Sequence, residues 1–189
     1  RQNGIISVYN NGKGIPVEIH KENKKYLPEM LFARLLTSGN YATKGKIVGG
    51  KNGYGAKLAN IYSTEFIVET YDDNNRKLYY QKFSKNMYII NEPIIKTLTS
   101  AEAKIKKSFT KITFTPDLER FSIKSLTKDM SNLFKKRVYD ISACTDKSVK
   151  VYLNDELIKV DTFKDYIKMY YEKMPSQLIY NEQYRWKIG

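Results

Sequence analysis

One cysteine, Cys144, and one histidine, His20, are all that this chain holds of the two residue types that most often bind transition metals. A lone thiol can neither close an internal disulfide nor assemble a thiolate zinc site. That excludes a disulfide scaffold, points to a reducing compartment, and predicts Cys144 as a small buried apolar residue. A lone imidazole cannot build a histidine-rich metal site or anchor a catalytic triad by itself, so His20 reads as a surface or turn residue. No run approaches the ~20 apolar residues that cross a bilayer. Arg1-Gln2-Asn3-Gly4 lacks the apolar core of a secretory signal, so no membrane partner is expected. What remains is a chain of 189 residues and ordinary apolar content, enough for one main domain with a buried core.

Negative charge is also in short supply, with 20 acidic against 33 basic residues and a net charge of +13. Such an excess favours polyanions such as nucleic acid through counterion release. The lysines are scattered, however, and serve equally well as a solvated surface. Lys104, Lys106 and Lys107, in the lysine-rich bridge from Ser100 to Lys107, read as a solvated loop in preference to a DNA contact.

Runs of β-branched and aromatic residues predict strands at Ile5 to Tyr9, Glu65 to Tyr71, Lys77 to Phe83, Met87 to Ile90 and Ser108 to Thr115. The Asn3-Gly4 pair predicts a hairpin whose partner strand lies upstream. A second hairpin, Val149 to Leu153 with Glu156 to Val160, turns at Asn154-Asp155. Helical spacing predicts helices at Pro28 to Leu36 (Met30, Leu31 and Leu35 inward), after Gly55 (Leu58, Ile61 and Tyr62 on one face), at Lys124 to Ala143, and at Thr162 to Tyr171. The long helix is expected to lie across the sheet. Tyr184 to Ile188 alternates like a strand without a partner, and Pro175 to Gln183 reads as a linker. Strand runs separated by helices predict an α+β fold, a two-layer sandwich of a mixed, mainly antiparallel sheet with helices on one face. Residues 1–174 form its main domain and 175–189 lead out of it.

The densest chemistry lies in Gly49-Gly50-Lys51-Asn52-Gly53-Tyr54-Gly55-Ala56-Lys57. Backbone positions without a Cβ can turn successive N–H groups inward, and a helix start adds roughly half a positive charge. The pair suits a triphosphate. The run is not a Walker P-loop, because Ala56-Lys57-Leu58 follows Gly55 where Lys and then Ser or Thr are needed. A dinucleotide fingerprint also fails, since Leu58 stands where Gly or Ala is required and Gly12-x-Gly14 runs into Pro16.

Two glycine clusters remain, Asn10 to Gly14 at a strand end and Gly50 to Lys57 at a helix start, joined by a polar hinge. This pattern resembles the ATPases of gyrase, heat-shock chaperones, MutL proteins and histidine kinases. The wording is closer still to the ATPase region of eukaryotic-type type II DNA topoisomerases. It lies in NNGKGIPVE (Asn10 to Glu18), LLTSGNY (Leu35 to Tyr41), GGKNGYGAKLANIYS (Gly49 to Ser63), FTKITFTPDLERF (Phe109 to Phe121) and RVYDI (Arg137 to Ile141).

The resemblance implies a Bergerat-type sandwich in which Asn10 recognises adenine while Ser38 and Asn40 contact ribose and phosphates. Gly39 departs from the usual serine and removes a hydroxyl. Gly50, Lys51, Asn52, Gly53, Tyr54, Gly55 and Ala56 supply mainly main-chain donors, and Lys57 adds a full charge near the phosphates. Lys51 stands where arginine is usual. The resemblance also implies ATP with Mg2+, duplex DNA as the partner of the full enzyme, a homodimer closing through an amino-terminal gate, and a nuclear location, or a cytoplasmic one for a viral source. The catalytic glutamate and the metal-binding asparagine are expected upstream of Asn10, so no catalytic or metal residue is assigned here. A chaperone or repair ATPase on the same scaffold, or a basic nucleic-acid-binding module without enzymatic activity, are the competing readings.

Overall fold

The computed structural model describes residues 4–35, 50, 52–173, 176–183 and 186–189, which form two compact units, Arg1–Ser125 and Leu126–Gly189. The first is organised by a six-stranded sheet of order β1-β6-β2-β3-β4, with β5 also on β3. Its strands are β1 (Ile6–Asn10), β2 (Ser63–Asp72), β3 (Lys77–Ser84), β4 (Ile89–Ile90), β5 (Ile94–Thr97) and β6 (Phe109–Pro116). Every pairing described is antiparallel.

Alternation along these strands sorts the two faces. Phe66, Val68 and Thr70 of β2 stand opposite Phe83, Gln81 and Tyr79 of β3, and all six are buried. Helices α1 (Leu27–Ala33) and α2 (Tyr54–Ile61) belong to this side, where Ala33, Phe32 and Ala59 pack on Phe66, Val68 and Phe83. Burying each such phenylalanine or valine contributes about 1.5–3 kcal/mol. The other face is polar. Glu65 pairs with Lys82 (2.5 Å) and Glu69 with Lys111 (3.0 Å), while the Ser7 and Thr113 hydroxyls meet at 3.0 Å. The expected two-layer α+β sandwich is the fold found.

Several local expectations are corrected. In α1 the inward residues are Pro28, Glu29, Met30 and Ala33, whereas Leu31 and Leu35 are exposed. Glu29 is buried because Gln81 Nε2 donates to it at 3.1 Å and Lys25 and Arg34 stand at 3.5 and 3.3 Å. In α2 the inward face carries Lys57 and Asn60, and Leu58 is 48% exposed. The polar pair can face inward because each finds a carbonyl, Lys57 that of Gly53 and Asn60 that of Phe32. The stretch from Ser100 to Lys107, expected as a loop, begins with a helix. Leu98, buried, follows β5, and a capping box between Thr99 and Glu102 starts the short helix α3 (Ser100–Ile105).

The second unit holds α4 (Lys128–Cys144), a hairpin of β7 (Tyr152–Leu153) and β8 (Glu156–Leu157), α5 (Phe163–Lys168) and a ribbon of β9 (Asn181–Glu182) with β10 (Lys187–Ile188). Asn154 and Asp155 take φ of 50° and 67°, the left-handed pair that a type I′ turn needs. Ala143, Ile158 and Val160 form its core with Tyr139, Phe163 and Tyr166 around them. Cys144, expected to be buried, is exposed, because Ser142 and Ala143 take the inward positions at the end of α4. The last strand, expected without a partner, pairs with β9 inside the stretch read as a linker.

Candidate nucleotide site

The end of β1 is strapped to the sheet by hydroxyl and carboxylate groups of its neighbours. Asn10 stands in register with Thr110 of β6, and Thr110 with Thr70 of β2. The Thr70 hydroxyl donates to the Phe109 carbonyl (2.8 Å), lies 3.2 Å from the Thr110 hydroxyl, and accepts the Ile15 N–H at 2.9 Å. Two residues on, the Val17 N–H donates to Asp72 Oδ2 at 2.8 Å. Burial alone would raise the Asp72 pKa. Donors from the Asn75 side chain and from the Val17, Asn75 and Asn74 N–H groups outweigh it and hold the carboxyl below its ordinary range.

This strap explains Gly14. A Cβ there would lie 1.8 Å from the Tyr71 carbonyl oxygen, so only glycine lets the chain pass this close to β2. Asn10 itself is exposed, on the sheet face that carries α1 and α2, and its Oδ1 accepts the Gly12 N–H at 3.3 Å. The amide is thereby pointed by its own turn, and its Oδ1 keeps a second lone pair with which to accept from a ligand.

The second half of the site is the start of α2. Gly53 is the N-cap, at φ 67° and ψ 21°, in the left-handed region. As a glycine, Gly53 has no side chain with which to cap the helix, and the first turn carries no acid. Its leading N–H groups and the positive end of its dipole therefore receive no acceptor from the N-cap side chain and no negative charge from the first turn. Into this turn comes Lys57, 2% exposed, with Nζ donating to the Gly53 carbonyl at 2.9 Å. Burial pushes its pKa below the usual lysine value. An ammonium so placed adds positive charge under an uncapped helix start, an arrangement that an anion relieves.

Of the residues singled out in the sequence, Asn10 ends β1, while Gly53, Tyr54, Gly55, Ala56 and Lys57 form the α2 start, with Gly50 and Asn52 just before it. Ser38, Gly39, Asn40 and Lys51, with the hinge at 41–49, lie outside the described residues. The backbone argument for the glycines holds at Gly53 and not at Gly55, which is helical. A Cβ on Gly50 or Gly55 would meet nothing within 4 Å. Thr70, Thr110 and Asp72 carry no local signal, since only strand register reveals that they lie beside Asn10. Among the described residues no cluster of His, Cys, Asp or Glu is arranged to hold a metal.

No protein-family model matches the sequence. Curated relatives do. The chain is 51% identical over 166 residues to DNA topoisomerase 2 of Pisum sativum, covering 87% of this chain and 11% of that protein. It is 47% identical over 193 residues to DNA topoisomerase 2 of Acanthamoeba polyphaga mimivirus, covering 100% of this chain and 15% of that protein. Among solved structures, the ATPase region of Saccharomyces cerevisiae topoisomerase II superposes with a TM-score of 0.83 at 46% identity, over 89% of this chain and 43% of that one. The 43K ATPase domain of Thermus thermophilus gyrase B reaches 0.55 at 22% identity, over 76% of this chain and 32% of that one, a likeness of fold alone. The chain thus spans 11 to 15% of the length of these curated relatives.

Proposed function

Because this chain belongs to the DNA topoisomerase 2 family as a segment of its ATPase region, we propose that it binds the adenine and phosphates of ATP for an enzyme that passes one DNA duplex through a transient double-strand break in another. ATP would favour closure of an amino-terminal dimer gate, and hydrolysis would reset it. Residues 1–174 serve as the ATP-binding domain and 175–189 lead toward a transducer. The whole enzyme acts as a homodimer on DNA, in the nucleus, or in the cytoplasm if its source is viral. Magnesium would arrive with the triphosphate, and no described residue of this chain is assigned to it.

The observation that carries this reading is the uncapped start of α2 with the buried Lys57 beneath it. Asn10 adds an amide suited to an exocyclic amine without the cost of burying a charge. Ser38, Asn40 and Lys51 are proposed to complete the contacts to ribose and phosphates, with Gly39 contributing no hydroxyl. Calorimetric titration with a non-hydrolysable ATP analogue tests the assignment. Lys57→Ala and Gly55→Val are each expected to weaken binding tenfold or more, about 1.4 kcal/mol, the size of one charge-assisted hydrogen bond. Gly55→Val is the cleaner probe, because its Cβ would meet no atom of the described residues within 4 Å. Unchanged affinity in both variants would refute the assignment.

A further inference from the structure

At the end of the sheet where β2 turns into β3, most of the negative charges are committed and several of the positive ones are not. Glu69 is paired with Lys111, and Glu102 with Lys96 at 2.8 Å. Lys96 and the N–H and hydroxyl of Thr99 hold the Glu102 carboxyl down at about 2. Asp72 is buried and saturated by its donors. Asp73, in the turn itself, is exposed and has no ion pair among the described residues. On the basic side, Arg76 Nη1 donates to Ser100 Oγ at 2.8 Å and Leu98 N–H to the Arg76 carbonyl at 2.8 Å, which ties the β2–β3 turn to the start of α3. From that tie the chain runs through Lys104, Lys106 and Lys107 back to β6. All three are exposed, and none has an ion pair among the described residues. Lys106 is held in place, its Nζ 5.2 Å from the centre of the Phe109 ring, which stacks on Tyr9 at 5.8 Å. Ile105, between them, is 86% exposed.

We infer that this cap, Lys104, Lys106 and Lys107 with Arg76, is a contact surface for the phosphate backbone of duplex nucleic acid, distinct from the nucleotide site. The charge balance favours a contact surface over a solvated loop, because Glu69, Glu102 and Asp72 are engaged while Lys104, Lys106 and Lys107 have no ion pair among the described residues. Duplex DNA suits the surface better than an acidic peptide does. It presents a charge every ~1.7 Å of axis, it gains from counterion release at several lysines together, and the three ammonium groups, with the Arg76 guanidinium tied to Ser100, give phosphate contact independent of sequence. The identity of the partner rests on the proposed topoisomerase reading, whereas the placement rests on the charge distribution alone.

The test is fluorescence anisotropy with a 20-base-pair duplex of arbitrary sequence over a range of salt, using the whole chain. The triple variant K104Q/K106Q/K107Q is expected to bind at least about tenfold more weakly at low salt, and its slope of log K against log salt should fall by about 0.9 for each phosphate no longer neutralised. A control of equal charge change in the second unit, K147Q/K159Q/K164Q, should weaken binding much less. Melting temperature and ATP-analogue affinity measured on the same samples show that fold and nucleotide site are intact. Equal weakening in both triples would mean a diffuse charge effect and overturn the cap while leaving the DNA reading standing. No binding by the unaltered chain would overturn both. Weaker binding of the cap triple to a polyglutamate peptide, with duplex affinity unchanged, would replace the partner by an acidic protein segment.

Discussion

At the level of single residues, the strap that positions Asn10 depends on a few atoms that leave no room for substitution. Asp72 is the most informative of them, since it holds both Val17 and its own turn. Its folded pKa lies below the ordinary value, so the carboxylate stabilises the fold at pH values above the unfolded pKa. That stabilisation is lost as pH falls through the lowered folded pKa. Asp72→Asn is therefore expected to cost about 1.5–3 kcal/mol at neutral pH, the range for hydrogen bonds to a buried charged group. The gap from the unaltered protein should narrow as the pH drops below about 3.9, the ordinary aspartate value. Urea titrations at pH 7, 5 and 3 measure it, and a gap independent of pH would show that packing rather than charge is what Asp72 supplies.

At the level of elements, the turn after β3 is where backbone conformation departs furthest from expectation. Lys85, Asn86 and Met87 have φ of 51°, 58° and 65°, three successive left-handed residues none of which is glycine. Each costs about 1–2 kcal/mol for an L-residue, and the turn persists because it is held from several sides. Lys85 and Asn86 N–H groups donate to Thr64 and Ser63 carbonyls, and Asn86 Nδ2 donates to the Ile61 carbonyl (3.0 Å) and to Asp117 Oδ2 (2.9 Å). Asn86 thus ties down the C-terminal end of α2, whose other end is the proposed phosphate site. Asn86→Ala is expected to lower stability by about 1–3 kcal/mol through the two unpaired acceptors. Lys85→Gly should raise it slightly, because relief of the left-handed cost exceeds the roughly 0.5–1 kcal/mol entropic penalty of glycine. Paired chemical denaturation curves check both signs, and destabilisation by Lys85→Gly would show that the turn is not strained.

This turn also marks a limit of what local sequence encodes. Alternating strands such as Phe66-Ile67-Val68 and Lys77 to Phe83 are legible because burial on one face imposes a period that survives in composition. The Asn154-Asp155 turn is legible because its dihedral angles demand those residues. Met87 reads as part of a strand and is not, since nothing local marks a left-handed run held by distant carbonyls. Lys57 and Asn60 escape notice as inward residues for the same reason: their partners, the Gly53 and Phe32 carbonyls, follow from the fold rather than from hydrophobic period. The phosphate-loop glycines are legible as a class, yet Gly14 owes its place to Tyr71 across the strap, a contact only register could disclose.

For the molecule as a whole, the proposed site would bind nucleotide without supplying a catalytic base. A general base contributes roughly 10²–10⁴-fold to ATP hydrolysis, and Glu18, Glu29 and Glu65 are the carboxylates to weigh for that part. Glu29 lies buried against Gln81, Lys25 and Arg34, and Glu65 is paired with Lys82 on the polar face of the sheet, away from α1 and α2. Glu18 is exposed, and its carbonyl accepts the Leu27 N–H; no further contact of its carboxylate links it to Asn10 or α2 among the described residues. His20 is occupied in its own turn, where Asn23 reaches Nδ1 at 3.2 Å. The chain by itself should therefore bind an ATP analogue and turn over ATP no faster than a Lys57→Ala control. A coupled assay of phosphate release, run beside the binding titration on one preparation, decides it. Turnover well above that control, abolished by Glu18→Gln, would place the base within this chain and overturn the separation of binding from catalysis.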